Sequence, residues 1–507
     1  MRYCWCKSNY SNRGYHMTYD AIIIGSGAGG CAAAFQLTQS GAKVLLLEKG
    51  ERLPKDGSTL DVETVAKRKL FIDDDPWHDR MGNVIVPQER SNLGGKTKWY
   101  GAALLRFAPH EFNADPAHQC LAWPIDYEAL EPYYEAAERV LGVRHFAIEP
   151  DFQRIANGLR SKDARWKKQP LPVGLSSDIL SFPLEAKHFD AFASPRGLKA
   201  DGESRFLERI ANNPNLQIAT GKRVTALRPA SDDPTCVTEV ECEDGTRYRG
   251  ATILLAAGAL HSPRLLQTYF EAHGLDQTLP SYAQIGRNYK FHLLTAMLML
   301  TARKQTDILR KTTVLTHDDL PHSSVQPLGW MDGELLAPEL PGFVPRWAAN
   351  LLGRRVYGFF LQTEDGSHPD NRVITRSDHG SLPCLDYDSA RVTPARDEHR
   401  RFVRLMQQQL LTIGYIGLTK PIPITGTAHA CGTLVAGDDP AKSVVDANGK
   451  VHGMKNVYVV DGSVLPRSSR VNPALTIYAW ALRVAGRLNH EGENNECVIA
   501  QRDPIRA

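Results

Sequence analysis

The first strong hydrophobic run is Tyr19-Asp-Ala-Ile-Ile-Ile24. It is short, apolar and rich in β-branched residues, the pattern of a strand buried on both faces. It runs into Gly25-Ser-Gly27-Ala28-Gly-Gly30. From Cys31 to Ser40 the apolar residues recur at helical spacing, Gly41 stops them, and Lys43–Leu47 reads as a second strand closing on Glu48. Strand, glycine turn, helix and strand together fill about 30 residues, a complete βαβ unit. Further on, the pattern predicts a capped amphipathic helix over residues 123–138 and a short helix at Phe206–Ala211. Strands are predicted at Leu216–Ala219 and Arg223–Leu227. Val237–Cys242 and Arg247–Gly250 flank Asp244-Gly245 as a hairpin, and Ala251–Ala256 reads as a separate buried strand. Ser262-Pro263 is predicted to start a helix, with proline in its first turn. Residues 150–200 carry little signal.

From residue 291 to 424 the pattern changes to short strand-like runs with many prolines, such as Val356–Leu361, Arg372–Thr375 and an edge at Pro421–Ile424. This predicts an antiparallel sheet with covering helices, among them His399–Ile413. Val457–Val460 then returns to strand and Leu475–Leu488 to amphipathic helix. The fold class expected is α/β: a Rossmann-like dinucleotide domain with a discontinuous α+β domain built on an antiparallel sheet. The division predicted is 17–109, 206–290 and 425–500 for the first domain, 110–205 and 291–424 for the second, and a disordered extension over 1–16.

Composition narrows the function. Hydrophobic residues are 42% and charged residues 23% of 507, an ordinary globular mixture. Lys and Arg number 60 against 57 Asp and Glu, a net charge of +3, so no electrostatic case exists for nucleic acid. The longest apolar stretches, Leu293–Thr301 and Ala251–Leu260, reach about half of the ~20 residues a membrane helix needs. Nine cysteines occur without a C-x-x-C pair, so no metal site is signalled, and the pattern suits a reducing compartment better than a disulfide scaffold. Cys4-x-Cys6 lies on a polar tail and reads as bland. No signal peptide is evident, and the expected location is cytoplasmic.

The glycines of the βαβ unit have separate tasks. Gly25 permits the tight turn, Gly27 lets backbone approach a pyrophosphate, and Gly30 lets helix and strand pack closely. The helix N-terminus offers free N–H groups to phosphate. Glu48, eighteen residues after Gly30, is placed to accept from ribose hydroxyls. At Asn92-Leu-Gly94-Gly95-Lys-Thr-Lys-Trp99-Tyr-Gly101, the glycines fit either backbone pressed on a flat group or a plain turn.

Four segments in order resemble the glucose–methanol–choline (GMC) family of FAD-dependent oxidoreductases, over about residues 19–490. They are the Gly25–Gly30 fingerprint with Glu48, Gly94-Gly95-Lys-Thr, Ala256-Ala257-Gly258-Ala-Leu-His-Ser262-Pro263, and a C-terminal set. That set is His429-Ala-Cys-Gly432-Thr433, Asp461-Gly462-Ser463 and Asn472-Pro473. Gly286-Arg-Asn288-Tyr-Lys-Phe-His292 is a weaker match. The resemblance implies FAD with its diphosphate at Gly25, Gly27, Ala28 and Gly30 and its ribose at Glu48. It implies adenine at the Val224 backbone. Asp461 and Gly462 would lie near the pyrophosphate and ribityl chain, with Ala257 and Gly258 also at the cofactor. Gly94, Gly95 and Gly101 would line the isoalloxazine.

The resemblance further implies oxidation of an alcohol CH–OH to a carbonyl. His429 would be the general base, and Asn472 would hold the substrate oxygen beside the flavin. Sugar-oxidising relatives with a covalent flavin carry histidine where Trp99 stands, so FAD is expected to be non-covalent. The expected substrate is a small-molecule sugar, glycoside or polyol. A small apolar or aromatic alcohol, a sterol-like alcohol, or lyase chemistry on the same flavin are the alternatives. Oxygen or a redox partner fits as electron acceptor. For His452 and His292 a structural hydrogen bond is the better reading, with His292 near the pocket rim. The aromatics Trp330, Trp347, Tyr357, Phe359 and Phe360, with Gln362, Glu364 and Arg372, fit either a pocket wall or core.

Overall fold

The computed structural model describes residues 18–331, 333–337, 345–376, 380–426 and 429–491. The extension 1–16 with Cys4 and Cys6 lies outside them.

The opening run forms the strand Thr18–Ile24, and the Ala-rich segment forms the helix Ala28–Gln39. The strand lies between Val44–Leu47 and Arg247–Leu255, parallel to both, with Ile22 opposite Leu45 and Ile253. All three are fully buried, as the unbroken apolar runs require. Leu216–Ala219 extends this seven-stranded sheet on one side, and Asp233–Cys242 with Val224–Ala230 on the other.

One expectation is corrected here. Arg247–Gly250 and Ala251–Ala256 are not two strands but one, Arg247–Leu255. Its first half pairs antiparallel with the hairpin partner, Glu239 opposite Arg249. Its second half runs parallel to Val457–Val459, Ile253 opposite Val457. The polar-to-apolar change along the strand marks the change from a hairpin to a core neighbourhood, not a break in the backbone.

The second sheet has six strands, in the order Ile416–Pro421, Leu293–Leu300, Val356–Thr363, Leu320–Pro327, Thr313–His317 and Trp166–Pro170. All its pairings are antiparallel. The last strand comes from the stretch that carried little signal. The expected edge at Pro421–Ile424 sits earlier, since Pro421 ends the strand. On one face lie Met297, Met299, Val325, Phe359 and Leu361, packed with Phe402, Met406 and Leu410 of the helix Thr393–Thr412. Because side chains alternate along a strand, Leu294, Gln326, Phe360 and Gln362 face the other way. A third sheet of four short strands joins Trp77–Asp79 and Val84–Ile85 to Arg372–Ile374 and Cys384–Asp386.

Three smaller elements refine the expectations. The predicted 123–138 helix runs from Tyr127 to Leu141, because Asp126 caps it by accepting from the Ala129 N–H at 2.8 Å. Phe206–Ala211 belongs to two successive single turns, Glu203–Leu207 and Glu208–Ile210. The helix expected from Ser262-Pro263 starts at Gly258 and runs to Ala272, so Pro263 lies inside it. Proline has no N–H to give the carbonyl four residues back. Thr433 Oγ1 donates to that carbonyl, Ala259 O, at 2.7 Å, and the helix continues intact.

Cys31, Cys120, Cys242, Cys384 and Cys431 are free and buried. Cys236 is disulfide-bonded, which the cysteine spacing does not signal. No helix among the described residues is long and apolar enough to cross a membrane.

Candidate active site

The first strand, the first helix and the helix Gly258–Ala272 meet at a cavity of about 710 Å³. It runs from the turn Gly25–Gly29 past Glu48 and Val224, along Ala257, Gly258, Asp461 and Gly462, to His429 and Asn472. The glycines of the turn divide by what a side chain would meet. At Gly25 it would strike the Ala256 carbonyl, at Gly29 that of Val460, and at Gly30 that of Gly25. These three glycines allow backbone to pack on backbone. At Gly27 a Cβ meets nothing within 4 Å, so that position faces the open cavity. The helix beginning at Ala28 has no capping side chain and no acid in its first turn. Its N–H donors are therefore left for an anion at the turn.

Glu48 is buried and holds the turn as well as lining the cavity. Its Oε2 accepts from the Ser26 N–H at 3.0 Å and from Ser26 Oγ at 2.6 Å, and its Oε1 accepts from the Gly50 N–H at 2.9 Å. Burial raises its pKa above the ordinary glutamate value. Ser26 Oγ accepts in turn from the Gly94 N–H at 3.0 Å, so this serine ties the fingerprint to the second glycine turn. A Cβ on Gly95 would sit 3.1 Å from Gly27 Cα, which shows how closely the two turns pack. Gly30 and Gly94 do not reach the cavity wall, whereas Gly95 and Gly101 do. Gly101 leaves room for the ion pair of Lys311 with Asp190, whose Nζ and Oδ1 are 3.0 Å apart.

Asp461 lines the cavity and also ties two turns together. Its Oδ2 accepts from the Gly258 N–H at 2.8 Å and from Ser262 Oγ at 2.6 Å. Its Oδ1 accepts from the N–H and Oγ of Ser463. The carboxylate thus fastens the start of one helix to the turn that follows the strand Val457–Val459. Trp99 lines the cavity with its Nε1 donating to Asn92 Oδ1 at 2.8 Å, and its ring contacts Phe71 and the Arg90 guanidinium.

At the far end, His429 and Asn472 come together across 43 residues of chain. Asn472 Nδ2 lies 3.3 Å from His429 Nε2. Asn472 Oδ1 accepts from Gln326 Nε2 at 2.6 Å, which turns the Asn472 amide donor toward the imidazole. His429 Nδ1 is buried and has no hydrogen-bond partner among the described residues. Burial pushes the His429 pKa well below the ordinary histidine value, and nearby His292, Lys311 and Lys96 push it the same way. The ring is therefore neutral at neutral pH and can act as a proton acceptor. His292 does not sit at the rim. It is fully buried behind His429, ring centroids 4.7 Å apart and edge-on, with its Nε2 donating to the Ser469 carbonyl at 2.8 Å. His452 is bonded to Ser443 and Gly437, away from this cavity.

The lining also includes Leu294, Leu328, Phe360 and Ile422, together with the charged Lys96, Lys311 and Asp190. Of the aromatics named from the sequence, only Phe360 reaches it among the described residues. Tyr357 and Phe359 are in the core of the antiparallel sheet, Trp347 is exposed, and Trp330 packs against Lys187 and Arg310. Glu364 and Gln362 are fully buried and bonded to protein partners. Ser26 fills an unspecified position of the fingerprint, and Gln326 and the Lys311–Asp190 pair lie in no sequence motif.

The pattern of the family described as GMC oxidoreductase matches residues 369–481, and that of a NAD(P)-binding Rossmann-like domain matches residues 23–61. The chain is 30% identical to 6'''-hydroxyparomomycin C oxidase of Streptomyces lividus, over 92% of this chain and 90% of that protein. The chain belongs to the GMC oxidoreductase family. Paromamine 6'-oxidase of Streptomyces fradiae is 29% identical over 94% of this GMC oxidoreductase and 93% of its own length. Among solved structures, pyridoxine 4-oxidase shares the fold at a TM-score of 0.68 and 19% identity, covering 93% of this chain and 99% of its own. As a GMC oxidoreductase, the protein is an FAD-dependent enzyme acting on CH–OH donors. Its residues fit the cofactor: the open face at Gly27, the uncapped helix start and a cavity lined from the fingerprint turn and Glu48 to His429 and Asn472 are what an extended dinucleotide needs.

Proposed function

We propose that this enzyme oxidises an alcohol CH–OH of a sugar, glycoside or polyol to a carbonyl, with His429 as general base and Asn472 positioning the substrate oxygen. The observation that carries this reading is the His429–Asn472 pair, 3.3 Å apart, in the cavity that begins at the fingerprint turn. FAD, when bound, supplies the hydride acceptor. Neutral His429 takes the hydroxyl proton. The Asn472 amide, held by Gln326, donates to the oxygen as negative charge develops on it. Leu294, Leu328, Phe360 and Ile422 give the cavity apolar surface against which the carbon skeleton of a substrate can pack. Relatives named for paromamine and 6'''-hydroxyparomomycin C support a sugar-like substrate. The same apolar surface favours a second reading, a small apolar alcohol.

Within this proposal FAD is held without a covalent bond, since Trp99 offers no nucleophile. Residues 17–109, 206–290 and 425–500 carry the cofactor, and 110–205 and 291–424 shape the substrate end. The acceptor for the reducing equivalents is oxygen or a redox partner. The five free cysteines among the described residues support a cytoplasmic location, and the bonded Cys236 counts against it.

The test is anaerobic mixing of holoenzyme with a panel of sugars, polyols and apolar alcohols. The expected result is bleaching of the visible flavin band by a polyhydroxylated member, with a carbonyl product in equal amount. Consumption of a substrate while the flavin stays oxidised would assign the site to lyase chemistry instead.

A further inference from the structure

The segment that delivers Asn472 to His429 has no regular structure. It runs from Pro466 to Pro473, between the turn Gly462–Val464 and the helix that starts at Ala474. Within it Ser469 has φ of +64°, a left-handed conformation unusual for a serine. Such a conformation persists only where the surroundings hold it. The holding group is Glu364, one residue beyond the strand Val356–Thr363, with its side chain fully buried. Its Oε1 accepts from Arg467 Nε at 2.8 Å and from the Ser469 N–H at 3.0 Å. Its Oε2 accepts from Arg467 Nη2 at 2.6 Å and from His322 Nδ1 at 2.8 Å.

A second buried carboxylate completes the hold. Glu111 Oε1 accepts from Ser469 Oγ at 2.6 Å and from the Arg470 N–H at 3.1 Å. The Arg470 carbonyl accepts from Ser324 Oγ and Gln362 Nε2, both at 2.7 Å. The left-handed turn at Ser469 also aims its own carbonyl at His292 Nε2, and His292 packs edge-on to His429. Both members of the reacting pair therefore take their placement from one turn. Asn472 follows it by three residues, and His429 is backed by a ring bonded to it.

We propose that Glu364 is a positioning residue for the reaction: by clamping Arg467 and the Ser469 backbone it sets the turn that fixes Asn472 against His429. It touches neither reacting group itself. The inference rests on Asn472 and His429 being the reactive pair, and it adds the element that aligns them. A misplacement of about 1 Å at such a pair can cost around 10²-fold in rate.

The test uses holoenzyme of Glu364→Gln, Asn472→Ala and the double variant, each with its limiting rate of flavin reduction and substrate dissociation constant. Glu364→Gln is expected to retain FAD and bind substrate normally, while reducing the flavin about 10- to 10²-fold more slowly. In the Asn472→Ala background the same substitution is expected to cost clearly less than in wild type, since the amide it aligns is gone and only the backing of His429 through His292 remains. A merely structural role predicts equal losses in the two backgrounds, and that result overturns the proposal. So does flavin reduction at the wild-type rate by Glu364→Gln. Should Glu364→Gln fail to fold, Ser469→Ala puts the turn itself through the same comparison, because it leaves the Glu364–Arg467 pair in place and removes the Ser469 Oγ bonds to Glu111 and to the Val471 N–H. An Asn472→Ala enzyme reducing its flavin at the wild-type rate refutes the underlying assignment of Asn472 instead.

Discussion

His429→Ala is expected to keep its fold and its FAD and to lose about 10²–10⁴-fold in the rate of flavin reduction by substrate, the range general-base catalysis supplies. The loss follows from the placement of the ring. His429 lines the cavity, and burial with nearby positive charge holds it neutral, so it meets the substrate ready to accept a proton. Asn472→Ala is expected to lose about 10²-fold or more, since its amide donates to the same oxygen. Because both groups act on one atom, the double variant is expected to lose less than the product of the two. Stopped-flow reduction under anaerobic conditions reads all three rates apart from reoxidation. Near wild-type reduction by a folded, flavin-loaded His429→Ala would remove the base from this position, and His292 would be the next to test.

Gly27→Val is expected to give a folded protein that purifies without flavin. The structure separates this glycine from its neighbours. A side chain at Gly29 or Gly30 would collide with backbone and disturb the sheet, whereas a Cβ at Gly27 has nothing within 4 Å. Its branched methyls would instead occupy the space in front of the helix N-terminus where a pyrophosphate must lie. Far-ultraviolet circular dichroism like that of wild type, with no bound FAD after reconstitution, is the expected pair of results. Stoichiometric flavin in Gly27→Val would refute the assignment of this turn to the diphosphate.

The part of this fold that could be read from the sequence is the part built from neighbours along the chain. The βαβ unit announces itself because strand, glycines, helix and Glu48 follow one another within a few turns of chain. The antiparallel sheet was legible as a class, but its wall was not. Period-two alternation sends Phe359 into the core and Phe360 into the cavity, and a list of aromatics cannot separate them until the strand's facing is known. Other misses have a common cause, a partner supplied from far along the chain. Pro263 looks like a helix start until Thr433 is seen to satisfy the Ala259 carbonyl. The fingerprint leaves the residue at Ser26 open and Gln326 lies in no motif, because what they do depends on Glu48, Gly94 and Asn472 reaching them in space. The His429–Asn472 pair was named from resemblance alone, and the fold brings the two together.

The most direct test of the proposed mechanism is the pH dependence of flavin reduction in single turnover, wild type beside His429→Ala. Protonated imidazole cannot accept the hydroxyl proton, so the wild-type rate must fall when pH drops through the His429 pKa and rise as the ring loses its proton. Since burial and the nearby cations depress that pKa, the rise is expected below the ordinary histidine range, with a flat rate through neutrality. In His429→Ala the rise is expected to be absent and the slow residual rate to be level across the same interval. An acid limb of the same position and size in the variant would contradict the account, because it would place the titrating base on another group.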